Sequence, residues 1–485
     1  MAGIGFELKK LFVGSGVIRK MRAYAYAAIV CSGTMILAVL LLLGVQAVAR
    51  AFGVPETMRE TLVVTMVYAL FFSMLLTSVF QMFLSRYVAD RMYQNQMEMI
   101  LPSLIGASLV LMIPGGVLYA LAVSTASSLT LSQKILNWML FMELIPVWLL
   151  MSYITAAKDY KAILLRFLAG VVTALAGGPL LCLCGMEPVT ALMLALVVGY
   201  GVMLVGMLRV LLRYFPAGQG SLLGFIAWFS QTPDLCLTGF LTMAGAFLHI
   251  VLMWFSPLGA PVTGIFRQAS LFDSAAFYAY LVTLPTNVNF IISVEVNFYA
   301  AYRRYFSAIT EGGTMPEIRI AREQMERSMW QEIGNLIVVQ IFSMAVYMIL
   351  MRYFLTLVGF TADMMHMFRM MCIGYSLYCI GVSLIMLQLY FNDRRGAMLS
   401  ALAFFVANGA GTLLSIRLGT LFYGAGMILG GLALYLVSFP RLARYVRRID
   451  YNVYCSQPVF NEATRDRWRE IAAWLENRAA RRRKP

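Results

Sequence analysis

Long apolar runs recur from one end of this chain to the other, and they decide what it can fold into. A helix rises 1.5 Å per residue, so about 20 apolar residues cross the hydrocarbon core of a bilayer. About twelve segments meet that length requirement: 23–48, 61–84, 100–123, 135–156, 163–185, 188–212, 233–256, 274–297, 333–356, 366–391, 396–416 and 420–440. Short polar or glycine-rich interruptions separate them. The narrowest is Gly185-Met186-Glu187-Pro188, where glycine suits a helix end and proline a helix start. Of 485 residues, 61% are hydrophobic and only 13% are charged. So few charges cannot clothe a water-facing surface. The pattern predicts an all-α polytopic membrane protein and excludes soluble, disordered and collagen-like classes.

The net charge of +15 would suit nucleic acid if it lay on one soluble face. Its distribution points instead to membrane orientation. With the N-terminus in the cytoplasm, most of the 38 Lys and Arg residues fall on the inner side. Those on the other side are Arg50, Arg59, Lys134, Arg267, Arg352, Arg369 and Arg417. The bias predicts both termini in the cytoplasm and an even number of spans. Ala47-Val48-Ala49 resembles a signal-cleavage site, but the apolar run before it exceeds the usual h-region of about 7–15 residues. It is read as a span.

The spans divide six and six. Residues 1–212 form one half and 233–441 the other, with a linker at 213–232 and a basic tail at 442–485. The linker carries Pro216, Gly218 and Gly220, then Leu222, Leu223, Phe225, Ile226 and Phe229, which read as a break followed by an amphipathic interfacial helix. Phe6, Leu8, Leu11 and Phe12 beside Lys9 and Lys10 look similar, hinting at a duplicated architecture. Residues 300–331 form the longest internal loop. Thr314-Met315-Pro316-Glu317 within it fits a capping box, and the charged helix after it is expected to run into the ninth span. Arg303, Arg304, Arg319, Arg322 and Arg327 on this loop are candidate docking residues. Anionic lipid headgroups suit such charges and those of the tail, and a cytosolic protein is the other reading.

Polar groups inside a span are costly and often functional. Glu143 lies near the middle of the fourth span, followed by Pro146, which frees a backbone carbonyl. It reads as a cavity-lining carboxylate, a proton or cation site, or a glutamate bonded to a neighbouring helix. The eighth span carries Pro285, Asn287 and Asn289. A kinked helix lining a wet cavity fits them, and amides that donate and accept suit sugar hydroxyls. Interhelical hydrogen bonding is the plain alternative. Arg267 and Asp273 bracket the outer entrance to that span as rim charges. Glu295 near its inner end is expected to pair with Arg303 or Arg304. Tyr24 and Tyr26 at the start of the first span, and Trp138 and Trp148 around Glu143, are aromatic faces for sugar stacking or members of an interfacial belt.

No cofactor or metal is expected. The histidines are only His249 and His366. Met364, Met365, Met367, Met370 and Met371 resemble a soft copper site, but methionine is also a general gap filler. Six of the seven cysteines lie in apolar runs, so no disulfide framework is implied. The chain has no Walker A, GxSxG or HExxH arrangement, and the first outer loop, with Glu56 and Glu60, is too short for a catalytic domain. An enzyme is not expected.

The opening Met1-Ala2-Gly3-Ile4-Gly5-Phe6-Glu7-Leu8-Lys9-Lys10-Leu11 closely resembles the start of PelG-type proteins, the membrane transporters of Pel exopolysaccharide systems. Asn297-Phe298-Tyr299, Tyr302-Arg303-Arg304-Tyr305-Phe306, Glu311-Gly312-Gly313-Thr314 and Leu389-Tyr390-Phe391-Asn392-Asp393-Arg394-Arg395 are also similar to that family. The resemblance implies a fold of the MOP flippase superfamily, with two six-helix bundles around a central cavity in the bacterial inner membrane. It implies a galactosamine-rich polysaccharide as cargo. It also implies a cytosolic glycosyltransferase, a cyclic-di-GMP-binding membrane subunit and a further membrane subunit as partners. The resulting expectation is an exopolysaccharide exporter that works by alternating access or as a held-open channel, with Glu143, Asn287 and Asn289 along the path. A non-transporting scaffold of the synthase and a small-molecule antiporter are the rival readings.

Overall fold

The computed structural model describes residues 17–157, 159–215, 220–229 and 232–455. Among them, twelve helical segments are long and apolar enough to cross a membrane, and each coincides with an expected span. The helices are α1 (Val17–Ala51), α2 (Glu56–Tyr93), α3 (Ile100–Ser124), α4 (Leu131–Ala156), α5 (Tyr160–Leu183), α6 (Pro188–Tyr214), the single turn α7 (Ile226–Phe229) and α8 (Pro233–Trp254). After a hairpin of β1 (Ala260–Thr263) and β2 (Phe266–Gln268) come α9 (Ser270–Tyr280), α10 (Leu284–Ile292), α11 (Tyr299–Thr310), α12 (Met315–Leu357), α13 (Ala362–Tyr390), α14 (Arg394–Leu418), α15 (Ala425–Arg447) and α16 (Ile449–Tyr454). The expected interfacial segment near Phe6 and the basic tail after Cys455 lie outside the described residues.

The chain divides into two compact units. The first contains Thr34–Met243 with Ala260–Gln268, and the second contains Ala244–Gly259 with Ala269–Gln457. In the first, α5 packs against α6 through Gly170 and Gly199. A Cβ on either would come 2.7 Å from the carbonyl oxygen of the other, so only glycine permits this approach. Without a strong hydrophobic drive between helices in lipid, such close backbone contact is a main source of association. Among the described residues of the linker, Ile226–Phe229 is helical. Phe225 is buried and packs its ring on Phe80 and Phe83, at 5.9 and 6.4 Å. The Arg91 guanidinium lies 5.3 Å from the Trp228 ring and 5.1 Å from the Tyr87 ring, and these two rings pack edge to face at 5.9 Å. These anchors hold the segment on the end of α2.

The antiparallel hairpin belongs to the first unit although it follows the seventh span in sequence. The Tyr68 hydroxyl donates to the Arg267 carbonyl (2.9 Å) and accepts from the Arg267 N–H (3.1 Å). The Phe266 ring sits 4.9 Å from the Tyr68 ring. Ile265 N–H donates to Thr125 Oγ1, and Ser128 N–H to Thr263 Oγ1. Gly264, at φ +54°, lies where a Cβ would strike the Thr125 carbonyl.

In the second unit, α15 packs on α14 through Gly426 and Gly430. A Cβ on Gly430 would come 2.7 Å from the Asn408 Cβ. Asp393 opens α14 by accepting from Gly396 N–H (3.0 Å), and it holds Arg441 of α15 with both carboxylate oxygens (2.8 and 2.9 Å). α12 is one continuous helix of 43 residues, so the charged loop segment does run into the ninth span. Its start is the expected capping box, with Thr314 N–H donating to Glu317 (2.8 Å).

Candidate functional site

Two groups of polar side chains inside the spans stand without partners, one in each unit. In the first unit, Glu143 lies twelve residues into α4, about 18 Å along it. Pro146 follows within the same helix. Glu143 Oε1 faces Gly201 of α6, 3.7 Å from where a Cβ would stand. Its other oxygen, Oε2, is buried and accepts no hydrogen bond among the described residues. The flanking indoles are tied elsewhere: Trp138 Nε1 donates to the Gly116 carbonyl (2.9 Å) and Trp148 Nε1 to Ser73 Oγ (3.0 Å). Both tie α4 to its neighbours.

In the second unit the eighth span is discontinuous. It runs as α9, a 3₁₀ turn at Leu281–Thr283, α10 with Pro285 in its first turn, and a π-helical turn at Ser293–Phe298. Proline removes a donor and sets the break. π turns carry an extra residue and recur at functional sites. Asn287 is exposed, and its Oδ1 accepts from the Cys379 thiol (3.4 Å). Asn289 Nδ2 is buried with no acceptor. The Thr286 hydroxyl and Gln340 Oε1 are buried and unpartnered as well, while Gln340 Nε2 donates to Ser376 Oγ (2.7 Å). A buried polar atom without a partner costs about 1–3 kcal/mol, and hydrocarbon offers none. Span-embedded groups in this state suit a passing polar ligand or water. Thr286 and Gln340 escaped the sequence reading. An amide deep in the ninth span, five residues beyond Asn335, was the signal for Gln340.

The Tyr200 and Thr242 hydroxyls are also buried without a partner among the described residues, whereas several other polar span residues are satisfied. Asn408 Nδ2 donates to the Gly245 carbonyl (2.7 Å), and His249 Nε2 meets the Tyr375 hydroxyl at 3.1 Å. Asp273 accepts from Trp254 Nε1 (3.1 and 3.2 Å) and from Ala269 N–H (3.0 Å), which ties it into the start of α9. Arg267 lies on β2, fixed through its backbone to Tyr68. The side chains of Tyr24, Tyr26 and Glu295 lie outside the described residues. His366 Nε2 donates to the Leu421 carbonyl (2.7 Å).

The family-like segments 297–306 and 389–395 meet in three dimensions. Phe298, Tyr302, Tyr390 and Phe391 pack ring to ring at 5.9–6.2 Å, and the Tyr302 hydroxyl donates to the Tyr390 carbonyl (3.2 Å). Asn297 Nδ2 donates to Glu332 (2.8 Å). The Tyr305 hydroxyl donates to Asp450 (3.0 Å), and burial followed by that carboxylate pushes its pKa up. Arg322 is consumed in the same cluster by Glu326, Asp450 and the Arg447 carbonyl. Arg303, Arg304, Arg319 and Arg327 are exposed. Arg304 donates to Gln324 (2.9 Å), and Arg327 lies 3.9 Å from Glu323.

The architecture is that of the MATE and MOP transporters. A multidrug resistance MATE family transporter in an outward-facing conformation superposes with a TM-score of 0.59 at 13% identity, covering 93% of this chain and 99% of that one. A MATE in the straight conformation gives 0.63 at 13% identity with the same coverage. A MOP superfamily transporter from Pyrococcus furiosus Vc1 (DSM3638) gives 0.62 at 12%, again covering 93% and 99%. At this identity the likeness establishes the fold. The protein is a multi-pass membrane protein of transporter architecture. No curated protein sequence matches it. Residues 1–454 match the family PelG, described as "Putative exopolysaccharide Exporter (EPS-E)". The chain belongs to that family, whose cargo is a polysaccharide, and family and fold together point to a transporter rather than an enzyme.

Proposed function

We propose that this protein exports a Pel-like, galactosamine-rich polysaccharide across the bacterial inner membrane, coupled to a cytosolic glycosyltransferase. A cyclic-di-GMP-binding membrane subunit and a further membrane subunit complete the synthase complex. Glu143, Asn287 and Asn289 meet the sugar hydroxyls and amines. The observation that carries this reading is the unpartnered state of Glu143 Oε2 and Asn289 Nδ2 inside spans of a transporter fold. Each sugar hydroxyl crossing hydrocarbon unpaired costs several kcal/mol, and groups held open for such partners remove that cost. Exposed Arg303, Arg304, Arg319 and Arg327 dock the synthase or anionic lipid.

The test uses membrane vesicles carrying the full synthase complex, fed with labelled nucleotide sugar on the cytoplasmic face. The expected result is polymer inside the lumen, protected from an added glycoside hydrolase. Glu143→Gln, Asn287→Leu and Asn289→Leu are expected to lower the protected fraction while total polymer is unchanged. Full protection in all three, with loss of polymer on neutralising Arg303, Arg304, Arg319 and Arg327, would establish the scaffold reading instead.

A further inference from the structure

The first unit contains a second feature, a cleft whose deeper end reaches Gly201, the residue that Glu143 faces. It lies between α5 and α6 and measures about 490 Å³. One wall is an aliphatic stripe at helical spacing, Val198, Val202 and Val205, which are 48%, 41% and 49% exposed. One end carries Arg166 and Arg209. These lie at the ends of α5 and α6 that the Lys and Arg bias assigns to the cytoplasm.

Arg166 stands six residues into α5 and three into the expected span at 163–185, about 4.5 Å inside its inner edge. Its stem crosses Gly206, where a Cβ would come 2.8 Å from Arg166 Cδ. Arg209 follows Gly206 by three residues and therefore shares its face of α6. The glycine thus lets the two guanidinium groups rise on one rim. Arg166 Nε is buried and has no acceptor among the described residues. A cation at the inner edge of a span with a buried, unmet N–H suits a headgroup anion. Glu143 does not supply the charge: it faces Gly201, five residues and about 7.5 Å of helix rise farther in.

We propose that this cleft binds an anionic phospholipid, its phosphate on Arg166 and Arg209 and an acyl chain along Val198, Val202 and Val205. A guanidinium fork matches phosphate oxygens, and the aliphatic stripe matches a hydrocarbon tail. The aliphatic stripe does not suit a sugar. A free phosphate would use the arginines but leave the stripe bare. The cleft borders Gly201, which Glu143 faces, but the lipid assignment rests on the arginines and the valines and does not depend on the export reading.

The test is native mass spectrometry of the full chain in detergent, titrated with phosphatidylglycerol, phosphatidylethanolamine or inorganic phosphate. Phosphatidylglycerol is expected to be retained, phosphatidylethanolamine far less, and millimolar phosphate is expected not to displace the lipid. Arg166→Gln with Arg209→Gln is expected to weaken phosphatidylglycerol retention about 30-fold, from about one basic contact's worth of surface attraction each. Arg213→Gln, one turn beyond, is the control and is expected to change nothing. Gly206→Ala keeps both charges and crowds the Arg166 stem, so a weaker loss in the same direction is expected even if the double variant fails to fold. Equal retention of both lipids, equal loss on Arg213→Gln, or displacement by phosphate would overturn the proposal.

Discussion

The pair that joins α14 to α15 offers a measurable test of how these two helices are held together. Asp393 is 4% exposed, accepts from Gly396 N–H and grips Arg441 with both oxygens, while Arg441 remains 42% exposed. Asp393→Ala removes a helix cap, at about 1 kcal/mol. It also removes two charge-assisted bonds, each about 1.5–3 kcal/mol before solvent takes up the freed guanidinium. Water recovers part of that second amount because Arg441 is well exposed. The expected loss is about 2–3 kcal/mol in total. Asp393→Asn keeps the cap and should lose about half of that. The assay is reversible unfolding in mixed micelles, followed by tryptophan fluorescence, with Arg441→Met completing a double-mutant cycle. A coupling of about 1 kcal/mol or more is expected for residues in direct contact. Wild-type stability in Asp393→Ala, or a coupling indistinguishable from zero, would refute the idea that Asp393 clasps α15 to α14 through Arg441.

Three further outcomes are expected. Thr314→Ala removes the capping box at the start of α12 and should cost about 1 kcal/mol, read as about fivefold faster amide exchange over 315–320; unchanged exchange would refute it. Gly264→Val places a side chain at positive φ against the Thr125 carbonyl, so the hairpin should leave Tyr68 and become open to protease between residues 260 and 268, with the spans intact. Tyr305, whose pKa is raised above its ordinary 10.0 by burial and then by Asp450, contributes stability that is present below pH 10 and lost as pH rises further. Tyr305→Phe should therefore flatten the alkaline limb of stability against pH, and an unaltered limb would count against that hydrogen bond.

The spans were readable because bilayer thickness imposes one length on every crossing segment, and few soluble patterns imitate it. The capping box at Thr314 was readable because its chemistry is local. The hairpin at 260–268 was not. Its strands are three and four residues long, and what holds them is Tyr68, far away in sequence. The linker shows the opposite failure. Leu222, Leu223, Phe225, Ile226 and Phe229 carry an amphipathic spacing, but Phe225 is drawn into the rings of Phe80 and Phe83, and among the described residues one turn, Ile226–Phe229, is helical. Arg322 looked like its exposed neighbours in sequence. Only the fold shows that Asp450, on a helix at the far end of the chain, takes it up.

For the interior polar residues, the useful distinction is between groups already satisfied and groups left waiting. A rare amide or carboxylate in a span signals importance but not its kind. Asn137, which accepts from the Tyr119 hydroxyl (2.8 Å), Gln388, which donates to the Ser438 carbonyl (3.0 Å), and Asn408, held on Gly245, are all buried and paired. Replacing one of them strands its partner, so about 1–3 kcal/mol of stability should go, and export should fall only as the folded population does. Glu143, Asn289 and the Thr286 hydroxyl have unpaired buried atoms. Replacing those removes a desolvated group that nothing satisfies, so stability should hold or rise while export falls. Measuring melting temperature and protected polymer together for Asn408→Leu, Gln388→Leu, Asn289→Leu and Thr286→Val separates the two classes. Asn289→Leu and Thr286→Val falling on the same line as Asn408→Leu and Gln388→Leu would mean that the waiting groups are ordinary packing, and the path through them would have to be abandoned.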